Sequence, residues 1–361
     1  MKEVILRLKK WRVTLILGFL ALAINLFSYQ SGWVEEYYAT GIYPSIGAGM
    51  RRIFGWLPFS LGDILYSLVV GWLIFLLFRL VRNIFQQKLK RAPFVPIFIR
   101  LINGLLIIYI YFNLSWGLNY NRLGISHQLG LNVTEQPSSK LMALTDRLII
   151  KTNSYAAAAG RNTTLPSGDV LSTSVKNYNK LSKDYPFLVY QPRSVKRSMF
   201  GVLGNYMGYT GYYNPFTAEA QINDAVPGFL HPFVASHEIA HQLGYAKENE
   251  ANFVGFLAAR VSDDTAFLYS AYFEMFLYAN SELFRRDSLL ARKNIKKLAP
   301  EVQRDLAELR AYRLRYENPL DKLISIFYDR YLKMNQQPDG DRTYSKVVLW
   351  LLAYYDKFNE I

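Results

Sequence analysis

The sequence predicts an α+β membrane protein, with three N-terminal transmembrane helices followed by a mostly helical domain that holds a small β-sheet. Three observations predict it. Uncharged apolar runs long enough to cross a bilayer recur in the first third of the chain. Most of the chain after residue 140 spaces its apolar residues three and four apart, as helices do. One Tyr-, Gly- and Thr-rich stretch, Gly201 to Asp224, breaks that spacing and reads as two short strands. The 361 residues are 51% hydrophobic and 16% aromatic, which is high for a soluble enzyme.

The first run, about 13–29, follows Lys2, Arg7, Lys9, Lys10 and Arg12. A cleavable signal peptide would need a small-x-small site after it, and Ser28 to Trp33 is a poor one. The second run, about 57–80, starts near Asp63 and ends at a cluster that includes Arg79, Arg82, Lys88, Lys90 and Arg91. The third, about 94–116, carries Arg100 close enough to its start to snorkel to the interface. Residues 1–116 thus form a membrane domain. Its basic clusters lie at the N-terminus and in the 79–100 connection, while the 28–56 loop balances Arg51 and Arg52 against Glu35 and Glu36. The positive-inside rule then expects a multi-pass protein of the cytoplasmic (inner) membrane, N-terminus inside and residues 117–361 outside. Trp33, Trp56, Trp116 and Tyr120 fit interfacial belts.

A formal charge of +14 raises the question of nucleic acid, but no basic helix with interleaved aromatics and no nucleic-acid motif is present. The basicity reads as membrane orientation plus a basic surface, so the partner expected from it is the lipid bilayer. The absence of Cys excludes disulfides, thiolate metal sites and a Cys nucleophile.

Within 117–361, Gly117 to Ser139 reads as a linker along the domain, and 140–158 and 169–181 as helices. In the 201–224 stretch, Pro215 limits one strand to an edge or turn, and an edge strand here could pair with an extended peptide. Pro232 opens and Gly244 closes a short helix, and a second should run from about Lys247 to Val261. The expected later helices are 265–283, 286–297, 299–316, 319–335 and 343–357, with a loop at Gln336 to Asp341.

Two of the chain's 4 His fall in His237-Glu-Ile-Ala-His241, on the first of those helices. Residues i and i+4 share a helix face, so both imidazoles can reach one ion, and Glu238 can act as general base on a water bound there. The expected cofactor is one zinc ion. His231 is read as a capping or surface residue rather than a ligand. A third ligand must come from Glu248 or Glu250, which point to nearly opposite sides of the next helix. Glu248 shares its side with Ala251, Asn252, Gly255 and Ala259, small residues that let two helices approach, and Asn252 could orient a ligand. Glu250 shares its side with Phe253, Val254 and Leu257 and stays open as the alternative. Tyr344, Arg342 and Tyr213 are candidate oxyanion donors.

The pattern His237-Glu-x-x-His241 with Glu248-x-x-Ala251-Asn252 resembles the gluzincin branch of the zincin metallopeptidases, with Asn252 where that branch has Asp. The resemblance implies a zincin-like domain, zinc on His237, His241 and Glu248, and Glu238 as general base. The whole layout also resembles an uncharacterised bacterial family with N-terminal transmembrane helices and a zincin-like domain. Its matching pieces are Trp116 to Arg122, Tyr213 to Ala220, the H-E-x-x-H block, Leu332 to Asn335 and Ser345 to Val348. The expected function is a membrane-anchored zinc metallopeptidase that hydrolyses a polypeptide substrate outside the cytoplasmic membrane. The alternative is a non-catalytic membrane scaffold or sensor with a structural or degenerate zinc site. An intramembrane protease is excluded because the apolar run around His237 is short and broken by Gln242, Lys247 and Glu248.

Overall fold

The computed structural model describes residues 2–86, 94–159, 166–319, 326, 330 and 344–361. Three of its helices are long and apolar enough to cross a membrane, over Trp11–Ser28, Leu61–Phe85 and Val95–Ser115. They belong to α1 (Lys2–Ser28), α4 (Leu61–Phe85) and α5 (Phe94–Ser115). Almost none of their apolar surface is buried within the protein, which makes the chain a membrane protein. A hydrogen bond from Thr14 Oγ1 to Asn103 Oδ1, at 2.7 Å, pins α1 to α5. The second span begins later than the expected residue 57. Ser60 caps α4 by accepting from the Asp63 backbone N–H at 3.0 Å, so Leu57 to Phe59 lie outside the helix.

The 28–56 segment is helical rather than an open loop. It holds α2 (Ser31–Trp33), a π-helix (Val34–Ile42) and α3 (Tyr43–Phe54). Val34, Tyr38, Ala39 and Tyr43 are buried there with Trp116, Leu118, Tyr120 and Ala246 in one apolar cluster. That cluster draws on both sides of residue 116. The expected linker is accordingly built into the interior: Gly117–Asn121 form a buried 3₁₀ turn, and α6 (Ile125–Gln128) follows.

The larger core lies between helices. It is formed by α7 (Ser138–Ala159), α8 (Ser167–Leu181), α10 (His231–Gln242), α11 (Glu248–Arg260), α12 (Thr265–Arg286), α13 (Ser288–Lys296), α14 (Pro300–Tyr316) and the C-terminal helix Tyr344–Phe358. Each extends or trims its expected range by a few residues, as helix ends set by caps rather than periodicity do. Asp264 and Asp287, for example, cap α12 and α13. The expected helix at 319–335 and the loop after it lie almost wholly outside the described residues.

The sheet has three strands in the order β1-β3-β2. β2 (Gly211–Asn214) and β3 (Glu219–Ile222) are the two expected strands, paired antiparallel. β1 (Val195–Arg197) pairs parallel with β3 and was not foreseen, being only three residues long. The first part of the 201–224 stretch is a short helix, α9 (Gly201–Tyr206), instead of strand. Buried ionic contacts weld the sheet to the second span. The Glu219 carboxylate accepts from the Leu61 and Gly62 N–H groups at 3.1 and 2.6 Å, and it is paired with Lys196. An anion at a helix N-terminus meets the positive end of the helix dipole.

Candidate metal centre

α10 carries Pro232 in its first turn and stops at Gly244, whose φ is +87°. An added Cβ at Gly244 would stand 2.7 Å from the Tyr43 ring, so only glycine fits that stop. The carbonyls left open at the end of α10 are filled from the membrane side. Trp116 Nε1 donates to the His241 carbonyl at 2.9 Å. The Gln242 carbonyl accepts from the Tyr43 hydroxyl at 2.9 Å and from Arg51 Nη1 at 3.0 Å. Arg122 Nη1 donates to the Gly244 carbonyl at 3.2 Å.

On the opposite side α10 packs against α11. An added Cβ at Gly255 would lie 3.0 Å from both Cα and N of His237. Ala251, Asn252, Gly255 and Ala259 are all buried at this contact face, the small-residue stripe expected from the sequence. The close approach brings Glu248 to the two histidines. Glu248 Oε2 lies 3.4 Å from His237 Nε2, and Oε1 lies 3.8 Å from His241 Nε2. The two imidazole rings are perpendicular, with centroids 4.7 Å apart.

His237, His241 and Glu248 present ligand atoms within 4.8 Å of one another, and could hold a metal ion. Three donors placed tetrahedrally about 2.1 Å from an ion would stand roughly 3.4 Å apart, close to the 3.4 and 3.8 Å between Glu248 and the two imidazole nitrogens. His241 Nδ1 lies 2.8 Å from the Tyr245 carbonyl. Only a protonated Nδ1 can donate there, which leaves Nε2 with its lone pair toward the cluster. The donor set, two imidazole nitrogens and a carboxylate, is of a kind that binds a metal ion.

Burial and mutual interaction displace the titratable groups of the cluster from their ordinary values. Burial pushes the Glu238 carboxyl up to about 8; Glu248 adds to the rise and His237 opposes it. Burial and the neighbouring His237 bring His241 down to about 4. Burial also disfavours a charged His237, but Glu248, Glu238 and Asn252 outweigh it and hold its pKa above the ordinary value. Buried groups with displaced, mutually opposed titrations mark functional sites. Glu238 Oε2 and His237 Nδ1 are buried without a hydrogen-bond partner.

Glu238 lies under the start of β2. An added Cβ at Gly211 would fall 2.6 Å from Glu238 Oε1 and 2.9 Å from the Gln221 carbonyl. β2 is an edge strand among the described residues, so the candidate base sits beside the strand that could pair with an extended chain.

The other candidates fall elsewhere. Glu250 is not part of the cluster; it is buried at 1% exposure on the far side of α11, facing Gly124. His231 is no surface residue: it is 6% exposed, with Nε2 3.2 Å from the Val226 carbonyl. Tyr213 packs against Trp116 at a 5.0 Å centroid distance, and its hydroxyl is buried. Tyr344 opens the C-terminal helix, but its side chain lies outside the described residues, as does all of Arg342. Sequence reasoning missed Glu274 on α12. It feels the charges of His237 and Arg313, and burial raises its carboxyl to about 7. Its signal was available, because Glu274 is the one charged residue from Thr265 to Ser281.

A model of a protein family described as "protein of unknown function (DUF3810)" matches residues 38–352. No curated protein and no solved structure matches the chain.

Proposed function

We propose a catalytic function for this chain, which belongs to the DUF3810 family of proteins of unknown function: a membrane-anchored, zinc-dependent metallopeptidase of gluzincin type. In this reading 117–361 is a zincin-like domain outside the cytoplasmic membrane, the N-terminus is inside, and the substrate is a polypeptide. The observation that carries the proposal is the convergence of His237, His241 and Glu248 beside a buried carboxyl, Glu238, with an unpartnered oxygen.

His237, His241 and Glu248 would hold the zinc, whose Lewis acidity would polarise the scissile carbonyl and acidify water. The Tyr245 carbonyl orients the His241 ring. Asn252, buried beside His237 and favouring its protonated form, steadies the second imidazole. Glu238 receives a proton from the attacking water and returns it to the leaving amine. Its burial at 3% exposure keeps bulk water from competing for that proton. The free edge of β2 would align the substrate backbone.

A purely structural site has no use for a base beside the ion, and this separates the reading from that of a scaffold. The test is full-length Glu238→Gln in detergent or nanodiscs, assayed on a mixture of unstructured peptides. Zinc content should match wild type, while hydrolysis falls by about 10²–10⁴-fold, the contribution of a positioned base. Hydrolysis at the wild-type rate, or none by the wild type on any peptide, would count against it.

A further inference from the structure

We propose that the segment 199–207, centred on α9, is a lipid-contacting element. It would rest in the headgroup region of the bilayer that α1, α4 and α5 span, on the side of the candidate metal centre. From Ser198 to Tyr209 the chain carries no charged residue. Met199, Val202, Leu203, Tyr206 and Met207 are each between 47% and 59% exposed, five large apolar side chains in nine residues. An apolar patch of this density on and around a six-residue helix marks an interaction surface.

The contacts of the strip fix its height. Asp63, in the first turn of α4, accepts from the Met199 N–H at 2.6 Å and from the Ser198 hydroxyl at 3.4 Å, and it also bonds the Tyr212 hydroxyl. Tyr66, a turn deeper, lies against the Tyr212 ring at 6.3 Å. Tyr111, one turn from the end of α5, stacks on Phe216 at 5.8 Å and donates to its carbonyl at 3.0 Å. Ser198, Met199, Tyr212 and Phe216, which bracket α9 in the chain, therefore sit at the outermost turns of two spanning helices, about 5 Å of depth. Trp56 and Phe59, exposed just before α4, mark the same level with the aromatics that favour a membrane interface.

The charges that flank this patch in sequence are held in ion pairs. Lys196 points inward, its Nζ 2.8 and 2.9 Å from the Phe54 and Phe59 carbonyls and paired with Glu219. Arg197 is paired with Asp224 at 3.2 Å. A short uncharged helix with apolar side chains outward, continuous with membrane-spanning helices, is built to lie in the interface rather than in water.

The chain has no Cys, so single labels can be placed cleanly. Full-length Leu203→Cys and Tyr206→Cys carry a nitroxide in lipid nanodiscs, with Lys293→Cys on the exposed face of α13 as the aqueous control. Collisions with oxygen, which concentrates in lipid, are compared with those of a water-soluble nickel chelate. At residues 203 and 206 oxygen access should exceed nickel access, with the order reversed at 293. Nickel access at 203 and 206 equal to that at 293 would overturn the proposal. So would shielding from both reagents, which would mean that a protein partner covers the segment.

Discussion

The indole of Trp116, the residue that follows the third membrane helix, donates to the backbone carbonyl of His241 across 2.9 Å. Its ring also lies edge-on to the His241 imidazole, with centroids 6.2 Å apart. One side chain thus couples the end of a bilayer-spanning helix to a candidate metal ligand. Replacing it separates two effects. Trp116→Phe loses the donor and keeps most of the packing, and should cost about 1 kcal/mol. Trp116→Ala also opens a cavity and should cost about 3–5 kcal/mol. Thermal unfolding of the full chain in detergent should rank wild type above Phe above Ala; equal midpoints would show that the contact contributes nothing.

Gly255 sets the distance between the two helices that carry the cluster. Ala at this position would press on the His237 backbone, which cannot move aside as a flexible side chain would. We expect Gly255→Ala to cost about 1–3 kcal/mol. The larger effect should be on zinc, because pushing α11 away carries Glu248 off the histidines. Zinc affinity measured by chelator competition should fall at least tenfold, whereas Ala259→Ser, further along the same stripe, should leave it unchanged.

The segment after the first span is tied down by Glu35 and Arg122, paired through two bonds of 2.9 and 3.1 Å, with side chains 9% and 2% exposed. Burial alone would raise the Glu35 pKa, but the hydrogen bond and charge of Arg122 and the Gly124 N–H outweigh it, and the net shift is downward from 4.5. A carboxylate depressed in the folded state contributes its stability above the unfolded value and loses it as pH falls through the folded value. Stability from this pair should therefore be intact at neutral pH and decay only below about pH 4.5. Arg122→Met leaves a buried charge and should cost about 3–5 kcal/mol at pH 7. The double variant Glu35→Gln with Arg122→Met should recover part of that loss and flatten the acid limb of the stability profile. An undiminished acid limb would assign it to other carboxylates.

Much of this was legible in the sequence, and the reason differs by element. The spans and the long helices announce themselves through run length and periodicity, which depend on local residue order alone. The His237–His241 pair is legible because an i,i+4 spacing has one consequence on a helix. The small stripe from Ala251 to Ala259 pointed to Glu248, whose oxygens lie beside both imidazoles, while Glu250 faces Gly124. What stayed hidden depends on contacts distant in sequence. β1 is too short to carry an alternation, and it exists because residues 195–197 pair with 220–222. The 28–56 helices read as a loop because their apolar residues are interrupted by Gly41, Pro44, Gly47 and Gly49. Tyr43 and Arg51 of these helices bond the Gln242 carbonyl at the end of α10, which no local pattern records. Glu274 was visible as a lone acid in an apolar helix, but its neighbours were not.

Catalysis of the proposed kind requires His237, His241 and Glu248 to bind one ion together. The most direct test is the metal content of the full-length protein purified in detergent, beside His237→Ala and Glu248→Ala. About one zinc per chain in the wild type, lost in both variants while far-ultraviolet circular dichroism is unchanged, is the predicted result. No metal in the wild type after loading with zinc, or the same zinc content in the two variants, would contradict it.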